Sequence, residues 1–238
     1  MGADSERPVM VISGTSRGIG RGLAEHFAGV GYRVAGCSRG PSDLDVDGYT
    51  HREVDVSDEK QIRSWVRSIR REHGRIDVLV CNAGLVPPPT LLNLTAGAVL
   101  RSTLQINVEG TFLLCREVAK VMMGQRAGRI VTMSSMAVGL HDVGTAAYGA
   151  SKAAIVEMTK VLAKELAPVG VTCNVVAPSI FPTESIDQLG EETAERTRQS
   201  LTVPRELEID EIAGVVKFFA ANESRAVTGQ VIHLGLVV

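Results

Sequence analysis

Residues 9 to 30, VMVISGTSRGIG followed by RGLAEHFAGV, restrict the fold more than any other stretch of this chain. A β-branched apolar run leads into Gly14, Gly18 and Gly20, after which apolar residues recur at helical spacing. The order is strand, glycine turn, helix. Such a turn aims backbone N–H groups and the positive end of a helix dipole at one point, an arrangement suited to a pyrophosphate. The spacing is GxxxGxG, not the commoner GxGxxG, and no GxxxxGK followed by Ser or Thr occurs, which argues against a phosphate-transferring P-loop.

The rest of the chain repeats the alternation. Strands are expected near 8–13, 33–37, 51–54, 77–81, 128–134, 171–177 and 230–234, and amphipathic helices near 18–30, 58–73, 95–123, 147–167 and 208–221. Strands and helices in alternation with short connections predict one α/β domain over 1–238, a doubly wound parallel sheet of about seven strands with helices on both faces. A chain of 238 residues, 45% hydrophobic and 22% charged, is large enough for one such core. Two stretches break the pattern: a polar turn at 40–49 and a charged insertion at 179–207, placed to act as a substrate-covering lid. Ligands of such sheets bind beyond the carboxyl ends of the strands. Gly14, Asn82, Ser135 and Pro178 each follow a strand, so they are expected to converge on one crevice.

Residues 135 to 152, SMAVGLHDVGTAAYGASK, carry the candidate chemistry. Tyr148 and Lys152 are four apart, on one face of a helix, where the ammonium is expected to favour the ionised phenol. Poising a tyrosine near neutrality needs a shift of roughly three pKa units, about 4 kcal/mol. Ser135 ends the apolar run GRIVTMSS, where its hydroxyl can bond a substrate carbonyl. YxxxK alone is a frequent accident, and the glycine turn is what gives it weight.

Together these features resemble the short-chain dehydrogenase/reductase family, over nearly the whole chain. Five ordered motifs carry the resemblance: SGTSRGIG for TGxxxGIG, with Ser13 for threonine; Asp55 in EVDVSD; CNAG at 81–84 for NNAG; Asn107 in INVEG; and Ser135, Tyr148 and Lys152. The resemblance implies a Rossmann-type fold and a catalytic tetrad of Asn107, Ser135, Tyr148 and Lys152. It implies a cofactor cradle of Gly14, Ser16, Arg17, Gly18, Ile19, Gly20, Ser38, Arg39, Asp55, Val56, Asn82, Ala83, Gly84, Pro178, Ile180 and Thr183, with Tyr148 and Lys152. Asp55 then faces adenine, and Asn107 interrupts its helix and joins Lys152 to a proton relay through a water. Ser179 replaces the glycine usual after the proline of that segment, and Leu234 to Val238 replace the usual ending.

The end of the second strand reads Cys37, Ser38, Arg39, and Arg17 lies inside the glycine turn. Cations and a hydroxyl there suit a ribose 2′-phosphate, whereas NAD enzymes place a carboxylate at this point, so NADP(H) is the expected cofactor. The implied reaction moves a hydride between NADPH and a ketone: a 3-oxoacyl thioester, free or carrier-protein-bound, or a polyketide-like ketone, with 3-oxoacyl-[acyl-carrier-protein] reductases the most similar outline. Val86, Pro87, Met136, Val138, His141, Ile180 and Phe181 are expected to form a mostly apolar substrate wall. The alternatives are a dehydrogenase of a cyclic or sugar-like alcohol and a non-catalytic dinucleotide-binding regulator; a methyltransferase has no use for the tetrad.

A net charge of −2 gives no general attraction to nucleic acid or to an anionic membrane. No metal site is suggested, no segment reaches the length of a membrane span, and isolated Cys37, Cys81, Cys115 and Cys173 fit buried thiols in a reducing, cytoplasmic setting. Helices 95–123 and 147–167 carry more apolar surface than one sheet-facing stripe requires, through Leu100, Leu104, Val108, Phe112 and Cys115 on the first and Ala153, Val156, Met158, Val161 and Leu162 on the second. With the resemblance, this predicts a homodimer or homotetramer, with the apolar C-terminus also covered.

Overall fold

A computed structural model describes residues 7–182 and 191–238. Seven strands form one parallel sheet: β1 (Val9–Ser13), β2 (Arg33–Ser38), β3 (Tyr49–Glu53), β4 (Val78–Cys81), β5 (Gly128–Met133), β6 (Val171–Ala177) and β7 (Val231–His233). Their order is β3-β2-β1-β4-β5-β6-β7. The chain runs outward from β1 to β3 and then returns to β4 on the other side of β1, so the order reverses between β1 and β4. A crevice opens there at the carboxyl ends, where a doubly wound sheet binds its ligand.

The period of two along β1 divides the core. Val9 and Val11 face one layer, with Trp65 and Ile69 of α2 (Glu59–His73) and Leu114 and Val118 of α4 (Gly110–Gln125). Met10 and Ile12 face the other, with Leu23 and Phe27 of α1 (Gly18–Gly29). Because both faces are covered, all five residues of β1 and all seven of β6 are buried. The boundaries of α2 follow its sequence: the Asp58 carboxylate accepts from the Lys60 and Gln61 amides at 2.8 and 3.1 Å, and Gly74 ends the helix at φ +74°.

Three differences from the sequence expectations matter for the site. The helix expected as one run over 95–123 is divided into α3 (Gly97–Leu104), a π-helical turn over Gln105–Glu109, and α4, the interruption falling at Asn107 as the resemblance implied. The edge strand begins at Tyr49, two residues early, because Tyr49 and His51 pair with Val34 and Gly36. Between β5 and α6 (Ala146–Leu166) lies a short helix, α5 (Ala137–Leu140). Among the described residues, two further helices follow β6, α7 (Glu191–Ser200) and α8 (Ile209–Ala220).

Candidate active site

The glycine turn is built for close approach of backbone. Gly14 and Gly18 have φ of +78° and +57°, the left-handed region that side chains rarely adopt. A Cβ at Gly20 would overlap the Gly14 carbonyl oxygen and the Asn82 amide. Asn82 Nδ2 donates to the carbonyls of Ser13 and Gly14 at 3.1 and 3.2 Å, while Ser13 Oγ accepts from the Asn82 and Ala83 amides at 3.1 and 3.0 Å. These bonds clasp the ends of β1 and β4 across the point where the strand order reverses. Serine in place of threonine at 13 keeps the hydroxyl that the clasp uses. No side chain caps α1, in contrast to α2, so its first-turn N–H groups face the crevice without a side-chain acceptor. Ser16 and Ile19 are half-buried, and Arg17 and Arg39 are exposed. Glycines at 14, 18 and 20, an α1 N-terminus with no side-chain cap, and the cations Arg17 and Arg39 fit a phosphorylated dinucleotide.

Asp55 Oδ1 accepts from the Ser57 amide and hydroxyl at 2.9 and 2.7 Å, which fixes the carboxylate at the start of α2. Val56 beside it is buried against Gly110, where a Cβ would come within 2.9 Å of Val56 Cγ2. Gly110 was not singled out from the sequence, yet it lets α4 approach this corner.

Two of the four tetrad residues, Asn107 and Lys152, flank Gly84, and the other two join them through Tyr148, which is hydrogen-bonded to Ser135 and lies beside Lys152. A Cβ at Gly84 would lie 3.4 Å from Asn107 Oδ1 and 3.5 Å from Lys152 Nζ. Asn107 is 1% exposed and sits in the π turn. Its Oδ1 accepts from the Leu85 amide at 2.6 Å, and its Nδ2 donates to the Leu85 carbonyl at 3.0 Å and to Ser151 Oγ at 2.9 Å. Ser151 in turn donates to the Tyr148 carbonyl at 2.7 Å. Thus Asn107 ties the loop after β4 to the helix that carries Tyr148. Ser151, which sequence reasoning missed, is its partner; its place beside Lys152 in the YGASK run was the available signal.

Lys152 is buried, its Nζ donates to the Met133 carbonyl at 2.9 Å, and it lies 5.8 Å from the centre of the Tyr148 ring. Burial brings its pKa down to about 8, slightly opposed by Cys81. Burial likewise raises the Tyr148 pKa, and a hydrogen bond with Ser135 offsets part of the rise. Lys152 turns its ammonium to the Met133 carbonyl while staying beside the phenol, and burial is the larger influence on Tyr148. Ser135 Oγ also accepts from the Ala137 amide at 3.2 Å, which holds the hydroxyl at the head of α5.

The remaining predicted residues divide. The Pro178 carbonyl accepts from the Met136 amide at 2.9 Å and the Ile180 carbonyl from the Leu207 amide at 2.8 Å, joining the segment after β6 to the Ser135 loop and to the start of α8. Ser179 is accommodated because Gly235, at φ +77°, has no side chain opposite its hydroxyl. Thr183 lies outside the described residues, as do 183–190 of the expected lid. In the expected substrate wall, Val86 and His141 are exposed and Pro87, Met136 and Val138 line the same two loops, which are joined by the Thr90 amide on the Gly144 carbonyl at 3.0 Å. Ile180 and Phe181 depart from the expectation: Ile180 is 1% exposed and Phe181 packs on the core layer of α1 and α8. Cys115 is buried, 3.6 Å from Cys81 Sγ, as expected of a buried thiol, so it does not belong to the outer apolar face with which it was also grouped.

The geometry describes a dinucleotide crevice with a Ser-Tyr-Lys-Asn constellation at one end, and comparison with known proteins gives the class. The family described as Enoyl-(Acyl carrier protein) reductase matches residues 14–235. The chain belongs to the short-chain dehydrogenase/reductase family. It is 31% identical to 3-oxoacyl-[acyl-carrier-protein] reductase FabG of Salmonella typhimurium (strain LT2) over 235 residues, 96% of each chain. It is 30% identical to the Staphylococcus aureus (strain Mu50) protein of that description over 234 residues, 94% of this chain and 95% of the other. Among solved structures, ElxO with NADP bound superposes with a TM-score of 0.88 at 26% identity, covering 95% of this chain and 96% of the other. NAD+-bound xylitol dehydrogenase gives 0.89 at 27%, covering 95% and 97%. Fold likeness therefore extends to partners of both coenzymes, and the residues at the end of β2 must decide between them.

Proposed function

We propose that this protein is an NADPH-dependent carbonyl reductase acting on a ketone of the 3-oxoacyl thioester or polyketide-like class, free or held on a carrier protein. The single observation that carries the reading is the linked set of Ser135 bonded to Tyr148, Tyr148 beside Lys152, and Lys152 and Asn107 flanking Gly84, two residues after the Asn82 clasp on the glycine turn. When bound, the coenzyme supplies the hydride. Ser135 holds the carbonyl oxygen, and Tyr148, kept protonated by burial, gives its proton to that oxygen as negative charge develops. Lys152 holds positive charge near the phenol, and Asn107 fixes the Leu85 loop that forms one wall. Ser38, Arg39 and Arg17 support the 2′-phosphorylated coenzyme, because none of them repels a phosphate.

Two further elements belong to this reading. Leu100, Leu104, Phe112 and Val161 remain 41%, 37%, 48% and 47% exposed on α3, α4 and α6, which supports a homodimer or homotetramer. The four buried unpaired cysteines support a reducing, cytoplasmic location. A second reading, oxidation of a sugar-like alcohol, draws on the likeness to xylitol dehydrogenase.

A panel of 3-oxoacyl thioesters, cyclic ketones and sugar alcohols, followed by coenzyme absorbance, tests the reading. Tyr148→Phe should lower reduction by a factor of about 10² to 10⁴ while NADPH still binds, since only the proton donor is lost. A Tyr148→Phe protein with undiminished activity would exclude the assignment.

A further inference from the structure

A hydrogen-bonded cluster lies under the end of β2 that neither the tetrad nor the glycine motif requires. It joins Thr15 of the glycine turn, Ser38 and Gly40 at the end of β2, and Tyr49 and His51 of β3. Tyr49 and His51 are two apart on a strand and share a face. His51 pairs in register with Gly36, where a Cβ would come within 2.5 Å of the Tyr49 ring and 2.6 Å of Thr15 Oγ1. The cluster therefore depends on that glycine.

Its donors and acceptors can be assigned. His51 Nε2 lies 3.0 Å from the Gly40 carbonyl oxygen and 3.2 Å from Ser38 Oγ. Its Nδ1 lies 2.9 Å from the Tyr49 hydroxyl and 3.4 Å from Thr15 Oγ1, and those two hydroxyls are themselves 2.8 Å apart. A carbonyl oxygen only accepts, so Nε2 carries the proton and Nδ1 faces the hydroxyls. Ser38 Oγ donates to the same Gly40 carbonyl at 2.7 Å, which thus receives two donors. One of them is redundant. If Ser38 turns its proton away, His51 still satisfies the half-buried Gly40 carbonyl.

We propose that His51 is a positioning residue for coenzyme selection: by holding the Gly40 carbonyl it releases the Ser38 hydroxyl to donate to the 2′-phosphate of the coenzyme. Ser38 sits next to Arg39, so the released proton and the guanidinium meet the same group. The inference rests on the NADP(H) reading of the site and adds a residue to it. His51 touches neither the coenzyme's reacting atoms nor the substrate in this role; it acts through Ser38.

Isothermal titration of the full chain with adenosine 2′,5′-bisphosphate and with 5′-AMP tests it without turnover. His51→Phe should weaken the bisphosphate by about tenfold and leave 5′-AMP within about twofold. His51→Gln, whose amide can donate to Gly40, should keep most of the affinity. With Ser38→Ala already in place, adding His51→Phe should cause no further loss, because the coupling runs through Ser38. Equal weakening of both ligands, no weakening, or a full additional loss on the Ser38→Ala background would overturn the proposal. If the phenylalanine ring prevents folding, His51→Val, suited to an edge strand, replaces it with the same expected outcomes. An unsubstituted protein that binds both ligands equally would overturn the coenzyme reading itself, whereas a bisphosphate preference that survives His51→Phe overturns only the role of His51.

Discussion

Replacing Lys152 by methionine should stabilise the cofactor-free protein at neutral pH while removing its catalysis. Lys152 is 6% exposed, its Nζ has one hydrogen bond, to the Met133 carbonyl at 2.9 Å, and desolvation pulls its pKa from 10.5 to about 8. A cation with a depressed folded-state pKa costs stability most where both folded and unfolded chains are protonated, below about pH 8, and that cost disappears as pH rises toward the ordinary lysine value. The drop corresponds to about 3 kcal/mol at neutral pH. Methionine keeps the apolar stem, removes the charge and leaves the Met133 carbonyl without its donor, a loss of ~1 kcal/mol. The net gain is about 2 kcal/mol, or about 4–8 °C in Tm for a chain of this length. Urea unfolding of both proteins from about pH 6 to about pH 10 measures the difference. The comparison must be a difference, because the buried thiols act on both proteins in the opposite sense. Cys37, pushed up to about 12 by burial, and Cys81 and Cys173, also raised, favour the folded chain below the ordinary thiol value and cease to do so above it. The gain from Lys152→Met should therefore be largest below about pH 8 and shrink above it. A variant no more stable than the parent at neutral pH, or a gain independent of pH, would refute the reasoning.

Arg39→Asp should reverse the coenzyme preference from NADPH to NADH, since losing a charge-assisted bond and adding a repelling carboxylate costs at least ~1.5–3 kcal/mol, about tenfold or more in the ratio of affinities; equal use of both coenzymes by the parent would contradict it. Multi-angle light scattering should give a dimer or tetramer, broken down by Phe112→Asp on the exposed face of α4, and a mass of 25.3 kDa for the parent at micromolar concentration would count against assembly. The ratio of alcohol oxidation to ketone reduction should rise with pH, because Tyr148 is raised by burial and must lose its proton to act as a base; a flat ratio from about pH 6 to about pH 10 would tell against Tyr148 as the titrating group.

The fold was legible because its signals are local. The glycine turn, the Asp58 cap, Gly74 and the apolar runs mark element ends through backbone needs that neighbouring residues meet. The π turn had no such local signal, and only the resemblance placed an interruption at Asn107. QINVE contains neither glycine nor proline, and its helix widens where Asn107 bonds Leu85 and Ser151, partners 22 and 44 residues away. Periodicity also failed to say which body covers an apolar stripe: Cys115 meets the sheet layer while Phe112, three residues earlier, meets solvent. His51 escaped notice for a related reason. Its partners come from the glycine turn and from β2, and only the register that sets it opposite Gly36 joins them.

The spacing of Tyr148 and Lys152 brings one cation beside one phenol, and the surroundings of each side chain decide what that adjacency does. Helical geometry does bring the two side chains near each other, Lys152 buried and Tyr148 half-buried, and loss of solvent pushes each toward its uncharged form: the tyrosine pKa rises and the lysine pKa falls. Lys152 Nζ spends its hydrogen bond on Met133, so it offers the phenol proximity to a charge without a direct bond. A protonated phenol against the Ser135 hydroxyl is the form that donates. In the proposed reduction, that protonated phenol is the group that gives its proton to the forming alkoxide, with Ser135 beside it and Lys152 near its ring.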